Sequence, residues 1–159
     1  MLTAWALTYN LMAVILLVAV SSTTSTIDVE DSAWAIIIAA LFFLFGVPGA
    51  RYLWHAPVYR GLMADGAFSF GAFFFAFLLH IVFAGWSFVA PQFGQDDLGF
   101  GAAHAGLLPA IDLAKDADGS TERTVVAAAY FIGAFFWLTV TLVSVLFLGR
   151  VYRFVRGRA

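Results

Sequence analysis

Residues 54–75, WHAPVYRGLMADGAFSFGAFFF, decide how the chain is arranged. The stretch opens where one long apolar run ends and closes inside the next, with Arg60 and Asp65 between them. Pro57 has no N–H and biases Ala56 towards an extended conformation, so a turn is expected here. Asp65 stands just ahead of the second run. A carboxylate there accepts bonds from the first free N–H groups and favours the positive end of a helix dipole. The stretch reads as a short, mildly basic, amphipathic connector between two membrane helices.

Composition sets the class on either side of it. The chain has 159 residues, 63% hydrophobic and only 11% charged, which is too apolar for a water-soluble domain of this size. The charges cluster and leave four long stretches almost free of them. The fold class is therefore all-α: a polytopic membrane protein with four transmembrane helices in one bundle, spans falling at about 2–20, 33–53, 68–89 and 124–148. With no cysteine there is no disulfide framework, thiolate metal site or thiol nucleophile. No acidic or basic tract points to nucleic acid.

The first run, near the ~20 residues a spanning helix needs, is interrupted by Thr3, Thr8 and Asn10. A cleaved signal peptide is the rival reading, since Ala19-Val20-Ser21 offers small residues at a cleavage position. Against it, no Lys or Arg precedes the apolar centre, and Trp5 and Tyr9 resemble an interfacial belt, which favours a retained helix. An acidic connector with Asp28, Glu30 and Asp31 follows. The second run carries Pro48 and Gly49 near its exit, where a kink or fray is expected, and Arg51, Tyr52 and Trp54 mark the interface. The longest connector, 90–123, holds six acids against Lys115 and Arg123. Within it LLPAIDLA has a weak helical pattern suited to lying on the membrane surface.

Positive charge orients the chain. Arg51 and Arg60 lie in the central connector, and Arg150, Arg153, Arg156 and Arg158 lie in the basic tail 150–159. By the positive-inside rule the connector and tail face the cytoplasm, and four spans place the N-terminus there too.

The pattern Trp54, Pro57, Tyr59, Asp65, Phe68, Phe70, with Phe73 to Phe75 behind it, resembles the signature between spans two and three of secretory carrier-associated membrane proteins. In that family the segment runs approximately W-Y-R-P-x-Y-x-A-F-R-x-D-x-S-F-x-F and leads into a Phe-rich span. The tail GRVYRF is similar to the short basic segment after the family's last span. The resemblance implies four spans, cytosolic termini and a role in vesicle traffic and membrane recycling, in post-Golgi, endosomal or plasma membranes. Departures are plain: basic positions of the family are Ala56 and Met63 here, and the long connector is more acidic. Asn10 is the only asparagine, so the sequence holds no Asn-Pro-Phe adaptor motif, and adaptor recruitment through it does not carry over.

Physically, Arg51, Trp54, Pro57, Tyr59, Arg60, Asp65, Phe68 and Phe70 form a candidate lipid-contacting segment, with the four tail arginines beside it. Each basic residue near an anionic leaflet contributes ~1 kcal/mol, so only the combined patch would concentrate a polyanionic lipid such as a phosphoinositide. Juxtamembrane arginines that merely enforce topology are the bland alternative. His80, deep in the third run, is a functional candidate by position. With no acid in any span, packing through a hydrogen bond to Asn10, Thr139, Thr141 or Ser144 is the expected role. On this topology His55, His80 and His104 fall in three compartments, so no shared metal site is expected, and neither catalytic constellation nor cofactor motif is present. The glycines near 94–106 follow no strand and read as loop glycines. The Phe stripe reads as packing. Expected partners are the bilayer, with a homo-oligomer or larger membrane complex open. A structural accessory subunit is the alternative function, and a small transporter or channel the third.

Overall fold

The computed structural model describes residues 2–24, 29–50, 67–91, 103–117 and 119–157, together with Tyr52, Ala56 and Tyr59. Side chains are described for 2–20, 33–49, 70–91 and the later stretches. All regular structure among these residues is helical. The elements are α1 (Leu2–Thr24), α2 (Val29–Ala50), α3 (Ala67–Val89), α4 (Leu107–Lys115) and α5 (Thr121–Arg156).

Three of these helices are long and apolar enough to cross a membrane: α1 over Leu2–Val20, α3 over Phe70–Val89, and α5. Ala33–Gly49 of α2 is a shorter apolar helix. The helix of α2 runs through Pro48 to Ala50, so the proline falls in its last turn. The start of α3 lies one residue from the expected boundary. By contrast, α5 begins before the expected span and continues through Arg156, which makes most of the basic tail an extension of that helix. At 36 residues it is about 54 Å long, against a hydrocarbon core of about 30 Å.

Small residues set the packing. Ala6, Ala13, Ala35, Ala39, Ala84, Ala127 and Ala134 are all buried, and they let helices approach without a large apolar driving force between them. Leu7 of α1 packs over Gly46 of α2. On α5, Val126, Tyr130, Gly133, Ala134, Trp137, Val140 and Ser144 form one buried stripe at helical spacing. The opposite surface is apolar too: Trp5, Met12, Phe45, Phe75, Phe135 and Leu146 are exposed, as suits a bundle bathed in lipid. No Asp, Glu, Lys or Arg is buried among the described residues.

The helices are staggered. Trp137 marks a common level, because its indole reaches Asn10 of α1 at 3.5 Å and its ring meets Phe83 of α3 with centroids 5.7 Å apart. From that level to the α1–α2 turn, α1 extends fourteen further residues, about 21 Å, whereas α3 has six left, about 9 Å. In that direction α5 extends about 24 Å. So α3 stops short, and something else must fill the bundle at that end. The filler is the segment 103–117. Its first four residues, Ala103 to Gly106, are all buried, and Ala103, Ala105 and Ala110 belong to one core with Val14, Leu17, Val126 and Tyr130.

Candidate functional site

At the end where α3 begins and α5 finishes, Arg150, Arg153 and Arg156 are exposed on the last turns of α5. Their spacing of three keeps them near one another on the helix surface. Arg153 and Arg156 also lie in the last turn, where cations complement the dipole. Tyr152 and Phe154 are exposed among them. The Tyr152 ring meets Phe74 of α3 edge-on at 6.3 Å, which brings the tail alongside the first turns of α3. Phe70, one turn earlier on α3, is half-buried, and Tyr52 and Tyr59 are exposed. Phe68 lies in α3 with its side chain outside the described set. Arg51, Trp54, Pro57, Arg60, Asp65 and Arg158 lie outside the described residues, as does His55.

The Phe stripe divides as helix geometry requires. Phe73 and Phe77 are buried and meet Phe147 of α5 at 6.5 and 5.5 Å, while Phe75 faces outward. One turn on, His80 is buried, its ring 5.6 Å from that of Phe77. Three of the four partners suggested for it also make bonds elsewhere. The hydroxyls of Thr139 and Thr141 donate back to Phe135 and Trp137 of their own helix, and Asn10 is engaged by residues far along the chain.

Those residues belong to the segment at the opposite end, and here the structure corrects the sequence reading. Residues 103–106 do not lie in an aqueous loop; they enter the bundle. Asn10 Nδ2 donates to the Ala103 carbonyl at 2.8 Å, and its Oδ1 accepts from the Ala105 N–H at 2.7 Å. One amide side chain thereby satisfies a buried carbonyl and a buried N–H, as a neighbouring peptide group would. Gly106 N–H bonds to the His104 carbonyl at 2.8 Å, and Ala110 N–H to the Gly106 carbonyl at 3.2 Å, starting α4. His104 is buried in this segment, not placed in a separate aqueous compartment, with its ring 4.7 Å from Phe42 and 6.1 Å from Phe83. It is a second deep histidine, which the sequence reading confined to a connector. Among the described residues no group of three potential ligands could hold a metal.

Two glycines make the entry possible. A Cβ on Gly133 would lie 2.7 Å from the Ala105 carbonyl oxygen, and one on Gly106 would lie 2.7 Å from the Ser87 oxygen and 3.0 Å from that of Phe88. Gly106 is thus a close-approach glycine and no ordinary loop residue. Its neighbour Ala90, φ +47°, ends α3 in the left-handed region with its N–H bonded to Trp86 O at 2.7 Å. The first turn of α4 packs inward, with Pro109 and Ala110 buried. Past Gly119, at φ +80°, Arg123 of α5 donates to the Asp116 carbonyl at 2.9 Å and ties the two helices together.

An all-helical chain with an apolar outer surface, several helices able to span, and its described charges unburied and gathered towards its two ends is an integral membrane protein. It belongs to the SCAMP family, whose sequence model matches residues 1–158. Secretory carrier-associated membrane protein 2 of Arabidopsis thaliana is 40% identical over 121 residues, 76% of this chain and 39% of that protein. The rice protein of the same name (Oryza sativa subsp. japonica) is 38% identical over 121 residues, with the same shares. A pea relative (Pisum sativum) is 39% identical over 120 residues, 76% of this chain and 38% of its own. The chain therefore spans less than half the length of these curated relatives. No solved structure matches it.

Proposed function

We propose that the chain crosses the bilayer four times, with both termini and the α2–α3 connector in the cytoplasm, and serves vesicle trafficking and membrane recycling in secretory carriers. The family supports the cellular role, since the relatives are named as secretory carrier-associated membrane proteins. Three exposed arginines at one end of α5 support the orientation through the positive-inside rule. The proposed activity is contact with anionic lipid by a patch joining the connector (Arg51, Trp54, Pro57, Tyr59, Arg60, Asp65, Phe68, Phe70) to the tail (Arg150, Arg153, Arg156, Arg158). Its carrying observation is the Phe74–Tyr152 contact, which sets the basic tail beside the start of α3, where the connector arrives.

The test has two arms. Single cysteines at Ser25, Ala64 and the exposed Lys115 report sidedness in intact cells: an impermeant reagent outside should leave Ala64→Cys unlabelled, and labelling there overturns the orientation. In nanodiscs with and without a phosphoinositide, combined loss of Arg60, Arg153 and Arg156 should weaken lipid clustering several-fold, most at low salt where screening is least. A correctly inserted triple variant with unchanged clustering would leave the arginines as topology signals and favour an accessory-subunit role.

A further inference from the structure

We propose that residues 103–110 are a re-entrant segment that dips to the middle of the membrane from the acidic end, and that Asn10 is the positioning residue that pins it there. The inference depends on membrane embedding alone and holds whichever end faces the cytoplasm.

Depth follows from the stagger. Asn10 lies ten residues before Val20, about 15 Å from that end of the apolar stretch of α1, and so near the midpoint of a hydrocarbon core of about 30 Å. Ala103 and Ala105 are bonded to it, so non-helical backbone reaches that depth. Irregular backbone is tolerated inside a membrane only where protein surrounds it and its polar groups are satisfied. The segment is enclosed by protein, and five of the eight backbone polar groups of residues 103–106 are seen to be bonded. Ala103, His104, Ala105 and Gly106 are buried between α1, α2, α3 and α5, with Phe42 and Phe83 against the histidine ring and Gly133 against Ala105. Of the backbone groups of residues 103–106, the Ala103 carbonyl and Ala105 N–H are met by Asn10, the Gly106 N–H and His104 carbonyl by each other, and the Gly106 carbonyl by the start of α4. The fold needs the insertion because α3 ends about 12 Å short of α1 on that side. The segment and α4 complete the column that α3 leaves unfinished, and Gly106 seats directly on Ser87, Phe88 and Ala90.

Asn10 is the one side chain seen to hold both a carbonyl and an N–H of the segment. Replacing it with leucine, of similar size, keeps α1 apolar and removes both bonds to the segment, together with the longer one from the Trp137 indole. The segment would then carry unsatisfied backbone in a low-dielectric interior, and exposure to water at the acidic end becomes its better state.

The experiment uses the full chain in nanodiscs, where an impermeant maleimide reaches both faces. Five single-cysteine proteins are compared: His104→Cys in the segment, Ser144→Cys in the buried stripe of α5, Lys115→Cys as an exposed reference, and His104→Cys and Ser144→Cys each combined with Asn10→Leu. We expect Lys115→Cys to label fast, and His104→Cys and Ser144→Cys at least tenfold slower. Adding Asn10→Leu should bring His104→Cys to within a few-fold of Lys115→Cys, while Ser144→Cys carrying the same substitution stays slow. Amide exchange in the unsubstituted protein gives an independent reading, with 103–110 exchanging at least tenfold more slowly than 116–120. Fast labelling at 104 together with fast exchange of 103–110 would place the segment in water and overturn the re-entrant assignment. Equal protection at 104 with and without Asn10, or joint exposure of 104 and 144, would overturn the role of Asn10 as a specific pin.

Discussion

The two ends of the bundle are closed by different kinds of contact. At the arginine end α3 and α5 meet ring on ring, through Phe73, Phe74 and Phe77 against Phe147 and Tyr152, with charges exposed beyond them. At the acidic end the contact is backbone on glycine: Ala105 against Gly133, Gly106 against the last carbonyls of α3, and an asparagine amide in place of a neighbouring strand. Rings slide and re-pack with small loss. Backbone seated on glycine has no such tolerance, because neither partner has a rotamer to change. Among the described contacts the bundle thus has a forgiving end and a less tolerant one.

The difference predicts unequal responses to similar changes in volume. Gly133→Val should be the most damaging substitution considered, because its Cβ would meet the Ala105 carbonyl and the segment must leave or α5 must shift. Overpacking of this kind costs about 1–3 kcal/mol, and a fall in melting temperature in detergent, with faster amide exchange over 103–110, is the expected result. Unchanged exchange would mean the seat on Gly133 is not what holds the segment.

Phe147→Ala tests the other end. Phe147 is partly exposed and covers Phe73, which is fully buried. Losing two ring contacts should cost about 1–2 kcal/mol, with exchange over 103–110 untouched. A loss as large as that of Gly133→Val, or loosening that spreads to the segment, would abolish the contrast between the ends.

How much of this was legible in the sequence depends on what hydropathy reports. It located α3 to within a residue, because the apolar run and the helix coincide there. It set α5 too short, because RVYRFVR loses hydropathy without losing helix-forming capacity, and a helix does not stop where the lipid does. The exposed arginines were legible for the same reason: charge at the end of an apolar run has few places to go. The re-entrant segment escaped because it is neither polar enough for a loop nor long enough for a span. One signal was present. Residues 98–111 form a charge-free stretch of fourteen between Asp97 and Asp112, a length suited to a buried or re-entrant piece. Asn10, the one strongly polar amide in the first span, was the matching clue, since such a group in lipid needs a partner. What no sequence pattern supplied was the stagger that leaves α3 short and makes room for the insertion.

His80 lies between the two ends and should respond weakly. It is buried beside Phe77, on the ring-packed side of the bundle. A glutamine there keeps a polar head of similar reach, so His80→Gln should shift stability by less than about 1 kcal/mol and leave membrane targeting intact. Abolition by His80→Gln of a proton or solute flux measured in proteoliposomes would contradict the packing role and revive transport.

The smallest effect should come from the exposed charges of the less tolerant end, and it separates two explanations of how that end is held. Lys115 Nζ and Asp112 Oδ1 lie 3.0 Å apart on α4, with the lysine largely exposed and the aspartate about half exposed. A pair of this kind gains little in water, loses side-chain entropy on forming and is screened by salt, so it contributes about 0–1 kcal/mol. If α4 were held by charge, Lys115→Ala would loosen it, and high salt would do the same to the unsubstituted protein. If α4 is held by buried Pro109, Ala110 and the segment before them, neither treatment should move the melting temperature beyond about 0.5 kcal/mol equivalent, nor raise amide exchange over 103–110. The second outcome is expected, because the first turn of α4 lies in the core while its ion pair faces outward. Loosening of the segment in 1 M salt, where the Debye length falls to about 3 Å, would instead show that surface charge reaches inward to hold it.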